Sequence, residues 1–158
     1  MNKLVTRALS GLVFATVMIG ASYFQAGYIV LMALITAFCT NEYFDITTPL
    51  RSEKGKFGKI YRIWLMATNV LAFLIIAAYM STDLPIQFLA LIPISLFGLF
   101  ILELYSKSET PLINIALNLS AFVYLGIPFS MLNFIVYNEE GTYISSTLLG
   151  ILILVWVY

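Results

Sequence analysis

Hydrophobic residues run along this chain in long stretches that contain no formal charge. Five such stretches cover residues 8–41, 63–82, 84–102, 110–138 and 141–158. A helix needs about 20 apolar residues to cross the hydrocarbon core of a bilayer, so each of the last four stretches predicts one membrane span. The pattern therefore predicts an all-α, polytopic integral membrane protein.

The first stretch is too long for one ordinary span. Its 34 residues would form a helix of about 51 Å. Gln25-Ala26-Gly27 interrupts the stretch with a strongly polar residue and a helix-weakening glycine, which predicts a tight hairpin of two helices. The chain 1–158 is then a single transmembrane domain with about six spans, at 8–24, 27–44, 63–80, 84–102, 112–136 and 142–158.

The placement of charge agrees with six spans. Net charge is zero, and all eight basic residues fall on one side of a six-span chain: Lys3, Arg7, Arg51, Lys54, Lys56, Lys59, Arg62 and Lys107. Loops rich in Lys and Arg stay in the cytoplasm, so the N-terminus is predicted to be cytoplasmic. The opposite loops contain three acidic residues, Asp83, Glu139 and Glu140, and no basic residue.

Prolines predict where these helices begin and bend. Pro85 and Pro111 follow short runs of capping residues, which places them near the first turn of a helix. Pro93 and Pro128 lie inside apolar stretches, where a missing N–H predicts an interior kink. The sequence Gly126-Ile127-Pro128 predicts a bend in the fifth span.

Composition excludes several classes of protein and of chemistry. The chain is 61% hydrophobic and 10% charged, whereas a soluble domain has about 25% charged residues. A soluble domain, a disordered chain and a nucleic-acid binder are therefore excluded. The absence of histidine and the single cysteine, Cys39, exclude imidazole chemistry and an internal disulfide framework. The sequence identifies no catalytic residue and no metal ligand.

A few polar residues within the spans are candidates for function. Charged residues at membrane depth mark functional sites, and here these are Glu42 and Glu103. Both lie at the inner end of a span, where they are predicted to reach headgroup water or to pair with Arg62 or Lys107. Four asparagines are predicted to bond between helices: Asn69, Asn114, Asn118 and Asn133.

The basic loop after the second span is the other candidate. Arg51, Lys54, Lys56 and Lys59 lie beside aromatic residues at the predicted cytoplasmic surface. They are candidates for attracting an anionic lipid headgroup, because each such charge contributes about 1 kcal/mol near the surface. The alternative is that they only determine topology, which the positive-inside rule explains fully.

Four short segments spread over the chain follow one another in an order typical of one family. Residues 4–14 are LVTRALSGLVF and residues 41–44 are NEYF, while 124–128 are YLGIP and 152–158 are LILVWVY. In this order and spacing they resemble bacterial phosphatidate cytidylyltransferases, also called CDP-diacylglycerol synthases. The resemblance spans the whole chain.

The resemblance implies an activity in phospholipid biosynthesis. These enzymes transfer CMP from CTP to phosphatidic acid and release CDP-diacylglycerol and pyrophosphate. The resemblance implies Mg²⁺ as cofactor, membrane lipids such as phosphatidic acid and CTP as partners, and a location in the bacterial inner membrane. This part of the chain is also a candidate for a homodimer interface.

The family's metal-binding aspartates lie nearer its C-terminus, in a segment that has no counterpart in this chain. The chain is therefore expected to be the N-terminal membrane half of a longer enzyme and to be inactive alone, with the Mg²⁺ ligands elsewhere. The competing class is a non-enzymatic membrane protein, such as a small transporter subunit or an assembly factor. Many transporters contain internal sequence repeats. The two halves of this chain show no repeated motif, which disfavours a transporter.

Overall fold

The protein is described here as a computed structural model, which covers residues 3–51, 56–82 and 84–157. Seven α-helices form these parts of the chain: α1 (Lys3–Ser22), α2 (Gln25–Thr47), α3 (Lys56–Ser81), α4 (Leu91–Ser106), α5 (Pro111–Ala121), α6 (Ile127–Val136) and α7 (Ser145–Val157). Two 3₁₀ turns, Thr48–Leu50 and Ile86–Ala90, and one π-helical turn, Phe122–Gly126, connect or extend them. The predicted all-α fold is confirmed.

Among the described residues, four helical segments are long and apolar enough to cross a membrane. They are Gln25–Leu50, Phe57–Ser81, Ile86–Ser106 and Pro111–Val136. Two shorter apolar helices, Gly11–Ser22 and Ser145–Val155, stand at the two ends of the described chain. The prediction of a polytopic helical membrane protein is supported by these lengths and compositions.

The first long stretch is broken into two helices as predicted, but the break lies at Tyr23-Phe24, and the predicted interruption Gln25-Ala26-Gly27 forms the first turn of α2. α1 ends at Ser22 and α2 begins at Gln25, so only two residues separate the helices. A side chain at Gly27 would collide with the backbone carbonyl oxygen of Ala21. Glycine is therefore required here because the two helix ends approach each other too closely for a Cβ atom.

The two prolines in apolar stretches have different structural roles. Pro93 lies in the first turn of α4, because the 3₁₀ turn Ile86–Ala90 precedes it and the α-helix begins only at Leu91. The first N–H groups of a helix have no intrahelical partner, so the predicted interior kink at Pro93 is wrong. Near Pro128, where the sequence predicts a bend, the structure has the π turn Phe122–Gly126 followed directly by α6, and Pro128 lies in the first turn of that helix.

Helix α3 lies at the centre of the bundle and packs against α2, α4, α6 and the π turn. α2 buries a stripe of residues spaced four apart, Tyr28, Met32, Thr36, Thr40 and Phe44, as expected for one face of an α-helix. This stripe is polar at its middle, so apolar contacts concentrate toward the two ends of the bundle. One apolar cluster surrounds Tyr28 and Phe73, and the other surrounds Phe44 and Tyr61.

The two ends of the bundle differ in charge, and we name them accordingly. The basic end consists of residues 45–51, 56–62 and 103–111, where α2 and α4 end and α3 and α5 begin. The acidic end consists of residues 22–25, 81–82, 84–85 and 137–144. At the acidic end, Tyr137 and Tyr143 pair across a tight turn in which Gly141 has φ +74°.

The close approach at Gly27 predicts a position-specific loss of stability. Replacing Gly27 with Ala forces α1 away from α2 and is expected to destabilise the protein by about 1–3 kcal/mol, as overpacking does. Gly20→Ala is the matched control because a Cβ atom at Gly20 meets open space, and it is expected to be neutral or slightly stabilising. Thermal unfolding in detergent measures both effects, and equal midpoints for the two variants would contradict this account.

Candidate functional site at the basic end of the bundle

Buried polar side chains fill the interior of the bundle at the basic end. A bilayer provides no hydrogen-bond partners, so such groups must bond to one another. Charged residues in this position are rare and mark functional sites. Two charged side chains, Glu103 and Arg51, are almost fully buried there, with 5% and 6% of their surfaces exposed.

Glu103 projects from the last turns of α4 into contact with α3 and α5. The Tyr61 hydroxyl on α3 donates a hydrogen bond to its Oε2 atom. The Asn114 Nδ2 atom on α5 donates to Oε1 over 3.1 Å and also lies 2.7 Å from the Ser108 hydroxyl. The carboxylate therefore joins three helices through neutral donors.

Arg51 directly follows the 3₁₀ turn Thr48–Leu50 at the end of α2, and its side chain is buried. Its Nε atom donates to the Thr47 hydroxyl over 3.1 Å. Its Nη1 atom donates to Asn118 Oδ1 on α5 over 2.8 Å. The guanidinium carbon lies 4.2 Å from the centre of the Phe44 ring, within the range of a cation–π interaction.

A second guanidinium contacts the same ring. The guanidinium carbon of Arg62, on α3, lies 4.9 Å from the Phe44 ring centre. Arg62 also forms an ion pair with Asp45 and donates to Asn41 Oδ1 over 3.2 Å. Its side chain is 34% exposed, so this guanidinium remains accessible at the basic end. We refer to Arg51, Arg62 and Phe44 as the guanidinium cluster.

Helix α5 joins the acidic and basic groups. Asn114 and Asn118 are four residues apart and lie on one face of the helix, one turn from each other. Asn114 bonds Glu103, and Asn118 bonds Arg51. Pro111 begins this helix at its first position, as the sequence predicts, and thereby fixes where both asparagines fall.

All four asparagines predicted to bond between helices do so. Asn69 on α3 donates to the Thr40 hydroxyl on α2 over 2.9 Å. Asn133 on α6 accepts from the Tyr28 hydroxyl over 3.0 Å and donates to the carbonyl of Phe73. Together with Asn114 and Asn118, they form a ladder of bonds from one end of the bundle to the other.

The two glutamates proposed as membrane polar candidates have different surroundings. Glu42 is exposed on α2, which is consistent with the predicted contact with water. The corresponding prediction for Glu103 is wrong, because Glu103 is buried and bonded to Tyr61 and Asn114. The neighbours of Glu103 come from α3 and α5, so its position along α4 does not predict whether its side chain is buried.

The four basic loop candidates also differ from one another. Arg51 is buried, whereas Lys59 is exposed on the first turn of α3. Lys54 lies outside the described residues, and the side chain of Lys56 lies outside them as well. The described part of this set therefore contributes one interior arginine and one surface lysine.

Sequence reasoning missed Arg62, Tyr61 and Asp45 as members of the site. A signal for Arg62 was present, since Asn41 and Asp45 are four residues apart and form one acceptor face on α2. For Tyr61, the spacing of Tyr61, Leu65 and Asn69 marks the buried face of α3.

Comparison with known proteins gives no relative to guide the assignment: no family model, curated protein or solved structure matches this chain. The donor set can be tested directly against the Mg²⁺ that the resemblance implies. Within residues 3–51, 56–82 and 84–157, no three His, Cys, Asp or Glu side chains lie close enough together to hold a metal ion. These described residues therefore do not fit a Mg²⁺ site.

The bond between Arg51 and Asn118 predicts how substitutions at Asn118 affect stability. Asn118→Leu removes the acceptor and leaves a buried guanidinium with one bond fewer, so it is expected to destabilise the protein by about 1–3 kcal/mol. Asn118→Asp restores an acceptor with an opposite charge and is expected to keep stability near that of the parent. Unfolding in detergent distinguishes these outcomes, and equal losses in both variants would show that the bond does not hold Arg51.

Proposed function

We propose that this chain is the N-terminal membrane part of an enzyme of the phosphatidate cytidylyltransferase type in the bacterial cytoplasmic membrane. Its contribution is to bind phosphatidic acid at the basic end of the bundle. The observation that carries this proposal is the guanidinium cluster, in which Arg51 and Arg62 both contact the Phe44 ring.

The chemistry of the cluster fits a phosphate headgroup. A guanidinium binds phosphate through two parallel N–H donors, and an aromatic face below it holds its plane in position. Arg62 is partly exposed and lies in the second turn of α3, on the side of the basic end. Arg51 is held behind it by Thr47 and Asn118 and adds a second positive charge in a medium of low dielectric constant.

The segment 41–44, which carries part of the family resemblance, contributes directly to this cluster. Phe44 supplies the ring, and Asn41 orients Arg62. Tyr43 lies 2.5 Å from the Ser120 hydroxyl on α5 and donates to the carbonyl of Leu117. The resemblance and the packing therefore both support a functional role for residues 41–44.

The proposed reaction is the one that the resemblance implies. A phosphate oxygen of phosphatidic acid attacks the α-phosphorus of CTP, a new P–O bond forms, and pyrophosphate leaves with the electrons of the broken bond. Such transfers need metal ions and positioned charge. Because the described residues do not fit a metal site, we assign to this chain lipid binding only.

We further propose that α1 and α7 also cross the membrane, giving six spans with the basic end in the cytoplasm. The 20 residues of α1 extend about 30 Å, enough for the hydrocarbon core. The 13 described residues of α7 extend only about 20 Å, so the support for its crossing comes from the sequence, where α7 lies in the uncharged stretch 141–158. The positive-inside rule supports the orientation, since all the bases fall on one side in this arrangement.

Cysteine labelling tests the orientation. In a Cys39→Ser background, Glu140→Cys is expected to react with an impermeant thiol reagent on intact cells, because Glu140 is exposed at the acidic end. Lys107→Cys, exposed at the basic end, is expected to react only after the cells are opened. Labelling of both positions on intact cells, or of Lys107→Cys alone, would contradict the orientation.

Lipid retention tests the proposed function. The chain is placed in nanodiscs of phosphatidylglycerol that contain a small fraction of photoactivatable phosphatidic acid, and the cross-linked fraction is measured. We expect Arg62→Gln to lower cross-linking several-fold, and Arg62→Lys to restore it only in part, because lysine lacks the planar fork. Asp45→Asn is expected to raise cross-linking, since it releases Arg62 from its ion pair.

The control for this experiment removes a positive charge that lies outside the guanidinium cluster. Lys107→Gln removes one positive charge from the same end and is expected to change little, since Lys107 is exposed and is not part of the cluster. The loss in Arg62→Gln should be smaller at high salt because the Debye length falls from about 8 Å at physiological ionic strength. Equal cross-linking in Arg62→Gln and the parent would contradict the proposal and favour a non-enzymatic membrane protein.

A further inference from the structure

A groove lies between α4 and α5 on the outer surface of the bundle at the basic end. Four apolar side chains line it, Phe100, Leu104, Pro111 and Ile115, and the buried Glu103 borders its floor. The groove has a volume of about 250 Å³. Leu104 is 81% exposed, so the mouth of the groove faces the acyl chains around the bundle.

The charge of Glu103 is not balanced within the described protein. Its two hydrogen-bond donors, Tyr61 and Asn114, are neutral. Over residues 3–51, 56–82 and 84–157, no lysine or arginine forms an ion pair with Glu103. A buried carboxylate without a cation is strongly disfavoured, and an ionisable group in a membrane is expected to have a specific partner.

We propose that this groove binds an aminophospholipid whose primary ammonium group pairs with Glu103. The apolar wall contacts the upper part of an acyl chain, and the ammonium group donates hydrogen bonds to the carboxylate oxygens. This site is separate from the guanidinium cluster and does not rest on the proposed function.

The depth of Glu103 fits such a ligand. Glu103 lies three residues before the end of α4 at Ser106, or about 5 Å along the helix axis. That depth places its carboxylate just below the helix end, close to the headgroup layer. A carboxylate oxygen accepts more than one hydrogen bond, so the bonds from Tyr61 and Asn114 leave capacity for an ammonium group.

Native mass spectrometry of the full chain tests the proposal. The protein is extracted from nanodiscs that contain equal amounts of phosphatidylethanolamine, phosphatidylcholine and phosphatidylglycerol, and the bound lipids are counted. We expect phosphatidylethanolamine to be retained in preference to the other two. Phosphatidylcholine has a cation without N–H donors, and phosphatidylglycerol has no cation, so the comparison separates charge from hydrogen bonding.

Two kinds of substitution test separately how the carboxylate and the apolar groove contribute to lipid retention. Glu103→Gln is expected to lower phosphatidylethanolamine retention about tenfold, which corresponds to about 1.4 kcal/mol, and Glu103→Asp is expected to keep the preference. Ile115→Phe fills the groove without altering the carboxylate and is expected to lower retention as well. Glu109→Gln removes an exposed acid at the same end and is expected to have no effect.

The proposal is overturned by either of two results. One is an unchanged preference for phosphatidylethanolamine in a folded Glu103→Gln variant, which would mean that the Glu103 side chain makes no ion pair with the lipid. The other is equal retention of phosphatidylethanolamine and phosphatidylcholine by the parent protein. If Glu103→Gln fails to fold, an unchanged preference in Ile115→Phe overturns the proposal by itself.

Discussion

A polar side chain inside a bilayer-spanning bundle has no water to bond with, and its partners must come from neighbouring helices. In this protein, α5 provides a partner for each of the two buried charges, through Asn114 and Asn118. Lipid tails satisfy apolar surface as well as another helix does. The position of α5 against α2 and α4 is therefore defined by these hydrogen bonds more than by apolar contacts.

The same constraint explains why much of the fold was predictable. An uncharged stretch of span length forms a helix in a membrane, and a helix without internal polar breaks continues to the next loop. The end of α1, the start of α5 at Pro111 and the bonding of Asn69 and Asn133 all follow from such local rules. Each of these features depends on residues that are close in sequence or on a polar group that must find a partner.

The candidate site was less predictable because its members come from distant parts of the chain. Tyr61 and Glu103 are 42 residues apart, and Arg51 and Asn118 are 67 residues apart. Charge counting predicts a side of the membrane for Arg51, but it does not predict that the side chain is buried against Thr47 and Asn118. Pro93 failed as a predicted kink because the 3₁₀ turn Ile86–Ala90 moves the start of the α-helix closer to it.

The π turn Phe122–Gly126 has a consequence for the rotational register of the helical segment Pro111–Val136. Buried positions along α5 and α6 are spaced by three or four residues, except across this turn, where Ala121 and Gly126 are five apart. The extra residue keeps both halves of the span facing the same interior. Without it, α6 would be rotated by about 100° relative to α5, and Asn133 would face away from Tyr28. A single inserted residue therefore sets the angular alignment between the charged end of the bundle and its tyrosine-rich end.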